Sequence, residues 1–465
     1  MDWSRGNSLQ QRILAIFSET NREYLRRWFR SPLVHNVITL YGVHVARYLP
    51  PLVVVPYLTR VLTPSGWGAV AFAQGFSAYL TLIVEYGFNL SATREVARAR
   101  DNQEKLAATL SGVTGAKCLL AILCGLLSWL AGRWVPLFRQ DPALLWAATF
   151  AALAQSFSLL WLFQGLERMK VVAALDISAK VLVSAAVFVW IHSPGDGWRV
   201  LALQGGGALL VVAVGFVLAY RWIPTGFPTR ANILESLRMG WTMFLFRSSV
   251  SLYTVGNSFI LGLFVAPQFV GYYGGAEKIS TAFLGLFSPV SQVLFPRLSY
   301  LVEHSRDQAR RLARQALAVM GTGGLLLGVT VFVTAPLLVR VILGPEFLPA
   351  VAAVRILSVL FLFVGLSNVL GMQWMLPLGM DYAFNVIILT AGGINLFLAV
   401  ILAPRYAHLG MAAAVATSEI LVTTMMFLWL RKKGLGLFSL GRNAGVEPAG
   451  VTIVAGSSCP GESTE

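Results

Sequence analysis

The stretch PQFVGYYGGAEKISTAFLGLFSPVSQVLFPRLSYLVEHSRDQARRLAR, residues 267–314, contains the pattern on which the fold of this chain depends. It predicts a short turn, a long apolar helix and a basic loop, and a similar stretch lies 203 positions earlier. The matched pairs are Pro64 with Pro267, Gly68 with Gly271 and Arg94 with Arg297. The same offset places His44 opposite Arg247, so a basic side chain recurs in the preceding helix. Similarity at one fixed offset indicates an internal duplication.

The composition of the chain is that of a membrane protein. Of its 465 residues, 56% are hydrophobic and 12% are charged, whereas soluble domains carry about 25% charged residues. A soluble fold could not bury so much apolar surface with so few charges, which predicts an all-α integral membrane protein. The net charge of +15 is spread over short patches between apolar segments, which argues against a nucleic-acid-binding protein.

Twelve apolar segments are long enough to cross a bilayer, which takes about 20 residues. They cover residues 34–60, 67–91, 107–131, 143–166, 171–192, 199–221, 237–264, 270–296, 314–339, 351–377, 382–404 and 409–430. We predict two pseudo-symmetric six-helix lobes around a central cavity, at 34–222 and 237–430, joined by a loop at 223–236. Residues 1–33 are predicted to form a basic cytoplasmic leader, either amphipathic or only flexible, and residues 431–465 a disordered cytoplasmic tail.

The distribution of basic residues predicts the orientation of these segments. When residues at the first or last two positions of a span are counted with the adjacent loop, 24 of the 36 Lys and Arg residues fall at the N-terminus, the C-terminus and the even-numbered loops, and six fall in the alternate loops. Because Lys and Arg accumulate on the cytoplasmic side, both termini are predicted to be cytoplasmic. The two halves then share one orientation, as repeats related by an axis along the membrane normal do.

Several short motifs, in order along residues 34–430, resemble those of one transporter family. They are PYLTRVLTPSGWGAVAFAQ at 56–74, EYGFNLSATREVA at 85–97, QGLERMK at 164–170, VGYYGGAEKIS at 270–280 and FPRLS at 295–299. This set is similar to that of the Wzx-type O-antigen and exopolysaccharide flippases, within the multidrug/oligosaccharidyl-lipid/polysaccharide exporter superfamily. The resemblance implies alternating access by two lobes in the bacterial inner membrane and an undecaprenyl-diphosphate-linked oligosaccharide as substrate. It implies no enzymatic activity and no cofactor beyond a proton or sodium gradient.

Six cations lie more than two residues from either end of a predicted span, where charged side chains are expensive and commonly functional. They are Arg47, Lys117, Lys180, Arg247, Lys278 and Arg355. An anionic diphosphate-linked substrate needs a cavity with cations, and Arg and Lys both bind phosphate. We predict a substrate site from Arg47 and Arg247 first, with His44, Lys117, Lys278 and Arg355 as further candidates. Lys180, four residues after Asp176, is more typical of an intrahelical salt bridge.

Four acids lie in the same spans, namely Glu85, Asp176, Glu277 and Glu419. A carboxylate within the membrane can bind and release a proton or a sodium ion, so these are candidates for ion coupling, with Glu277 and Glu419 first. The alternative is that each acid only neutralises a nearby cation. Arg94 and Arg297, at matched cytoplasmic loops, are more typical of determinants of topology, and their duplicated position also makes them candidates for a gate. Asn89, Asn257, Asn368, Gln373 and Asn395 are amides that would either line the path or join helices.

Three other functions share some of these features. A multidrug and toxin extrusion antiporter has the same architecture, but its first helix is expected to contain an acid, whereas this one contains His44 and Arg47. A lipid II flippase is expected to have two further spans, which are not found after residue 430. A membrane polysaccharide polymerase or ligase is expected to have a large external loop, and the predicted loops are short. The partners expected are membrane lipids, a polysaccharide polymerase and a chain-length regulator, with no nucleic acid.

Overall fold

The computed structural model describes residues 32–224 and 226–437. Within these ranges, the side chains of residues 32–52, 246–247, 249–250 and 252–254 are outside the described set. The described part of the chain is helical and contains no strand. The helices are α1 (Pro32–Glu85), α2 (Phe88–Arg98), α3 (Gln103–Trp134), α4 (Pro136–Gln140), α5 (Pro142–Ser156), α6 (Leu160–Gly165), α7 (Met169–Trp190), α8 (Gly197–Trp222), α9 (Arg230–Thr254), α10 (Asn257–Gly262), α11 (Pro267–Leu284), α12 (Ser288–His304), α13 (Arg306–Leu338), α14 (Ala350–Leu357), α15 (Leu360–Ser367) and α16 (Asp381–Lys432).

Short segments of tighter or wider helix connect several of these elements. The 3₁₀ turns are Pro194–Asp196, Gly285–Phe287 and Pro345–Phe347, and the π-helical segments are Val339–Leu343 and Asn368–Met375. The second π-helical segment continues α15 within an apolar span. Such π-bulges are rare and are frequent at functional sites.

Two of the longest helices each contain a break. Thr63, with φ 62° and ψ 170°, interrupts α1 directly before Pro64, and a proline disfavours helical geometry at the residue that precedes it. Ala407, with φ 50° and ψ −128°, interrupts α16 three residues after Pro404. Each long element is therefore two helices in sequence, which agrees with the predicted pairs of spans at 34–60 with 67–91 and at 382–404 with 409–430.

The surface of the helices has the character expected for contact with lipid. On α3, Leu110, Val113 and Ala116 are buried, whereas Ile122 is 72% exposed and Trp134 83% exposed. Because lipid tails are themselves apolar, large exposed hydrophobic side chains are typical of a membrane-facing surface rather than of a soluble protein. In the described part of the chain, nine helices are long and apolar enough to cross a membrane. The predicted all-α multi-pass membrane fold is confirmed, while the count of twelve spans and the division into two six-helix lobes stay predictions.

Loops that should lie on one side of the membrane contact one another. Arg100, after α2, donates to Glu167, after α6, with a distance of 2.8 Å between Nη2 and Oε1. The Arg100 guanidinium thereby holds the pKa of the Glu167 carboxyl below its ordinary value. At the opposite ends of the helices, the Tyr57 hydroxyl donates to the Ile191 carbonyl oxygen at 2.6 Å. The predicted orientation of the loops in the N-terminal half stays a prediction.

Candidate functional site

A polar cavity of about 380 Å³ lies between the N-terminal half of the chain (residues 34–222) and the C-terminal half (residues 237–430). Its lining residues are Gln74, Ser77, Ala78, Thr81, Leu82, Glu85, Ala151, Gln155, Leu201, Gln204, Ser251, Val255 and Lys278. Pockets that bind small molecules have volumes of about 300–1,000 Å³. The cavity is therefore large enough for part of a substrate headgroup.

The N-terminal wall of the cavity is built mainly by one face of α1. Gln74, Ser77, Thr81 and Glu85 recur at spacings of three or four residues, and such residues share one face of an α-helix. The helices α5 and α8 complete this wall with Gln155 and Gln204. An apolar membrane helix with one polar stripe directs that stripe toward protein or water rather than lipid. The sequence of α1 thus determines where the cavity forms.

The charged groups of the described lining are Lys278 and Glu85, which lie on opposite walls. Lys278 belongs to α11 of the C-terminal half, and its side chain is exposed. Glu85 ends the helical part of α1 that carries the polar stripe, and its charge also acts on Lys117. Of the predicted substrate-binding cations with described side chains, Lys278 is the one that lines this cavity.

Glu277, next to Lys278, points into a separate buried group. The Ser258 hydroxyl donates to its Oε2 at 3.2 Å, and the Tyr273 hydroxyl donates to its Oε1 at 3.4 Å. Tyr273 is 1% exposed and Asn257, beside Ser258, is 3% exposed. These two adjacent residues of α11 therefore have different surroundings. Lys278 faces the cavity, and Glu277 faces the interior of the C-terminal half.

Glu419 occupies a half-buried position, in the second part of α16. The Ser367 hydroxyl donates to its Oε1 at 2.6 Å. The next residue, Asn368, opens the π-helical segment and accepts from the hydroxyl of Ser291 at 2.7 Å and from the amide of Gln373 at 3.0 Å. A half-buried carboxylate thus lies beside a polar network within the C-terminal half. In the part of the chain that the structure describes, no group of three or more His, Cys, Asp or Glu side chains is arranged to hold a metal ion.

Lys117 does not line the cavity. Its Nζ donates to the Ser156 carbonyl oxygen at 2.6 Å and to the Ser158 carbonyl oxygen at 3.4 Å, and the residue is 3% exposed. These carbonyls lie where α5 ends and before α6 begins. The last carbonyls of a helix lack partners within the helix. The ammonium group therefore satisfies the backbone at a helix break inside the membrane.

The remaining predicted residues lie away from the described cavity or outside the described side chains. Arg355 donates through Nε to the Phe332 carbonyl oxygen at 3.4 Å. Lys180 and Asp176 form the predicted intrahelical salt bridge, with 3.0 Å between Nζ and Oδ2. Arg94 and Arg297 are exposed on α2 and α12. The side chains of His44, Arg47 and Arg247 lie outside the described residues.

Two of the pairs matched by the internal duplication, Pro64 with Pro267 and Gly68 with Gly271, meet at one point between the two halves. A Cβ atom on Gly68 would overlap the carbonyl oxygen of Pro267 and lie 2.7 Å from the Gly271 nitrogen. A Cβ atom on Gly271 would in turn overlap the carbonyl oxygen of Pro64. Such reciprocal contacts are those that a two-fold relation between α1 and α11 requires. We call this contact of Pro64, Gly68, Pro267 and Gly271 the glycine seam.

A hydrogen bond and an aromatic cluster lie beside the glycine seam and add further contacts between the two halves. Arg60 Nη2 donates to the Val341 carbonyl oxygen at 2.7 Å, which links the end of the first predicted span, in α1, to the π-helical segment of the C-terminal half. Below the seam, the rings of Phe72, Phe76 and Phe138 cluster with Phe259, which contacts Phe72 at 4.9 Å and Phe76 at 5.4 Å between centroids. The cavity is therefore closed toward the side on which the seam lies.

The halves also contact each other beyond the opposite end of the cavity. Tyr86 stacks on Phe244 of α9 with 4.7 Å between ring centroids and an interplanar angle of 15°. A Cβ atom on Gly240 would lie 2.8 Å from the Tyr86 carbonyl oxygen. Contacts between the two halves therefore lie beyond both ends of the cavity.

The cavity glutamines, Gln74, Gln155 and Gln204, were not among the amides predicted to line the path. Two of the predicted amides, Asn368 and Gln373, instead bond to each other within the C-terminal half. The sequence did contain a pattern that indicates a polar helix face, because Gln74 begins a stripe of uncharged polar residues along one face of α1. That stripe could have been found by periodicity.

An all-helical membrane protein with two contacting halves and a polar cavity between them has the architecture of a transporter. Residues 33–302 match the model of the family described as "Polysaccharide biosynthesis protein". The chain belongs to this family. The resemblance to the Wzx-type flippases within the exporter superfamily is thus confirmed.

Similar proteins agree with this assignment. The chain is 30% identical over 418 residues to a protein of Escherichia coli (strain K12) named "Putative O-antigen transporter", with 90% of this chain and 99% of that protein covered. It is 29% identical over 401 residues to a protein of the same name from Shigella dysenteriae, covering 84% of this chain and 98% of that protein. Both alignments span almost the whole length of the relative.

Two solved structures share the fold. One is the lipid II flippase MurJ in an inward closed conformation, with a TM-score of 0.66, 13% identity, and coverage of 86% of this chain and 87% of that chain. The other is an inward-facing multidrug resistance transporter of the MATE family, with a TM-score of 0.58, 15% identity, and coverage of 84% and 94%. At these identities the similarity concerns the fold alone.

Proposed function

We propose that this protein is a flippase that moves undecaprenyl-diphosphate-linked oligosaccharides from the inner to the outer leaflet of the bacterial inner membrane. The exported polymer would be an O-antigen, a capsule or an exopolysaccharide. Membership of the polysaccharide biosynthesis family and the transporter names of both relatives support this proposal. A non-enzymatic role accords with those names.

The observation that carries the proposal is the composition of the cavity. Its wall combines glutamines and hydroxyl side chains with Lys278. Carboxamides and hydroxyls both donate and accept hydrogen bonds, as sugar hydroxyls do, and an ammonium group binds phosphate oxygen. A headgroup that contains both sugar and diphosphate matches this combination.

The contacts around the cavity support transport by alternating access. The glycine seam closes one side through backbone contacts, and Tyr86 with Phe244 bounds the other. In our proposal the seam faces the periplasm, both termini are cytoplasmic, and the two halves act as lobes at 34–222 and 237–430 joined by the loop 223–236. The basic leader, 1–33, and the tail, 431–465, lie on the cytoplasmic side in this scheme.

Further residues belong to the proposal on the grounds of sequence. His44, Arg47 and Arg247 would add positive charge for the diphosphate, and Arg94 and Arg297 would lie at the cytoplasmic entrance. A polysaccharide polymerase and a chain-length regulator would receive the product. These assignments depend on charge and on position in the predicted spans.

The function is tested by ligand binding to the purified full-length chain in detergent. Undecaprenyl diphosphate bearing an oligosaccharide is expected to bind, and a hydrophobic cation such as tetraphenylphosphonium is not. The opposite result, with binding of the cation and none of the lipid, would favour a multidrug antiporter. Binding of lipid II in preference to other sugar-bearing diphosphate lipids would favour the lipid II flippase.

Lys278→Gln is expected to weaken binding of undecaprenyl-diphosphate oligosaccharide by about 10- to 150-fold, because a hydrogen bond to a charged group contributes roughly 1.5–3 kcal/mol. The side chain is exposed to the cavity, so folding should be unchanged. Lys180→Gln is the matched control, since Lys180 pairs with Asp176 away from the cavity. Unchanged affinity in Lys278→Gln would remove this residue from the substrate site.

We propose Glu277 and Glu419 as the carboxylates that couple flipping to an ion gradient, with Glu85 and Asp176 as weaker candidates. Glu277→Gln keeps one of the two oxygens, which can accept from Ser258 or Tyr273, but it cannot exchange a proton. Stimulation of flipping by an imposed proton or sodium gradient is expected to disappear, while binding without a gradient is retained. Glu303→Gln, at an exposed site on α12, is the control. Full stimulation in both Glu277→Gln and Glu419→Gln would show that these carboxylates have only structural roles.

A further inference from the structure

The uncharged hydrogen-bonding groups of the cavity are concentrated on one wall. Five of them come from the N-terminal half: Gln74, Ser77 and Thr81 on α1, Gln155 on α5 and Gln204 on α8. The C-terminal half contributes Ser251, Val255 and Lys278 to the described lining. The two walls of the cavity therefore differ in chemistry, one being rich in carboxamides and the other containing the ammonium group.

The side-chain oxygen of Gln74 accepts no hydrogen bond from the described residues. Nε2 of the same side chain donates to Oε1 of Gln204 at 3.3 Å. Oε1 of Gln74 is buried and has no hydrogen-bond partner among the described residues. A buried acceptor without a partner is unfavourable, and most such groups in proteins are satisfied by protein, water or ligand. Rotation of the half-buried Gln74 side chain would allow a ligand hydroxyl in the cavity to donate to this oxygen.

Gln155 and Gln204 present their amides to the same space, because both side chains are exposed and both line the cavity. A carboxamide has two N–H donors and one acceptor oxygen. Neighbouring carboxamides can therefore both donate hydrogen bonds to neighbouring sugar hydroxyls and accept hydrogen bonds from them. Glu85 lies on this same wall and would repel a diphosphate from it. Lys278, on the facing wall, would attract one.

We propose that the glutamine wall, formed by Gln74, Gln155 and Gln204, binds sugar hydroxyls, while Lys278 in the opposite half binds the diphosphate. This inference rests on the proposed function and adds an orientation to it. The headgroup lies across the interface of the two halves, with its sugar against the N-terminal half. A site that hydrogen-bonds a substrate hydroxyl discriminates strongly against analogues that lack it. The glutamine wall therefore determines sugar specificity, and Lys278 contributes affinity that is independent of the sugar.

The test compares two probes, undecaprenyl diphosphate carrying one N-acetylglucosamine and undecaprenyl diphosphate without sugar, on the purified full-length chain. We define the sugar preference as the ratio of the two affinities. Wild type should prefer the sugar-bearing lipid at least about tenfold, since each hydrogen bond changes affinity by about fivefold. The triple variant Gln74→Leu, Gln155→Leu and Gln204→Leu should bring the ratio close to one. Binding of the sugarless lipid should change less than about twofold.

Two further variants separate the alternatives. Gln164→Leu replaces an exposed glutamine near the end of α6, outside the cavity lining, and should leave both affinities unchanged. Lys278→Gln should weaken both lipids by the same factor and so preserve the ratio. A triple variant that folds and retains the wild-type ratio overturns the glutamine wall, and a changed ratio in Lys278→Gln overturns the proposed orientation. Failure of wild type to bind either lipid would instead overturn the proposed function itself.

Discussion

Gly68→Ala is expected to reduce flipping by about 10- to 100-fold or more while the protein remains folded. The new methyl group would overlap the carbonyl oxygen of Pro267 and crowd the Gly271 nitrogen. Over-packing costs roughly 1–3 kcal/mol, and here the obstacle is backbone, which cannot rotate away as a side chain can. The glycine seam could then not close, and a transporter that cannot close one gate cannot complete its cycle.

The control for this variant is Gly206→Ala, on α8. A Cβ atom there meets nothing within 4 Å, and alanine favours a helix over glycine by roughly 0.5–1 kcal/mol. Gly206→Ala should therefore flip lipid at the wild-type rate. Reagents that modify cysteines introduced beside the seam should react faster in Gly68→Ala than in either reference protein. If Gly68→Ala flipped lipid at the wild-type rate, tight contact at the glycine seam would not be required for transport.

Lys117→Met is expected to destabilise the protein by about 2–4 kcal/mol. Methionine is similar in length and apolar, but it cannot donate to the carbonyl oxygens of Ser156 and Ser158. Losing a buried hydrogen bond from a charged group costs roughly 1.5–3 kcal/mol, and the carbonyls at the helix break would be left without this donor. The measurement is the fraction of protein that stays monodisperse after heating in detergent.

Lys180→Met provides the comparison, because this lysine is paired with Asp176 at a partly exposed intrahelical site. Pairs of this kind contribute about 0.3–0.5 kcal/mol, so its heat resistance should be close to wild type. The sequence analysis grouped Lys117 with the substrate-binding cations. If Lys117→Met were as stable as wild type but unable to bind the diphosphate lipid, that grouping would be correct and the structural role inferred here would be wrong.

Part of this architecture could be predicted from sequence because its signals are strong and periodic. The abundance of apolar residues specified a helical membrane protein. The fixed offset between Pro64–Gly68 and Pro267–Gly271 identified residues that the structure brings into reciprocal contact. A two-fold relation places equivalent positions together near its axis, so a duplication in sequence also predicts a contact.

The site itself was less accessible to sequence reasoning. The role of Lys117 depends on a break between α5 and α6, where the sequence FSLL at 157–160 contains neither proline nor glycine. Adjacent positions, Glu277 and Lys278, face different environments because of the way α11 packs between the cavity and the C-terminal half. A glutamine in a membrane helix can serve a cavity or a helix contact, and only the arrangement of neighbouring helices distinguishes these roles.

The most direct test of the central claim is flipping in proteoliposomes. A labelled undecaprenyl-diphosphate oligosaccharide is reconstituted with wild type, with Gly68→Ala or without protein, and exposure of its sugar is followed with an impermeant modifying reagent. The proposed mechanism predicts rapid exposure with wild type, and exposure near the protein-free rate with Gly68→Ala. Exposure with wild type that is no faster than in protein-free liposomes, with and without an ion gradient, would contradict the assignment of this protein as a flippase.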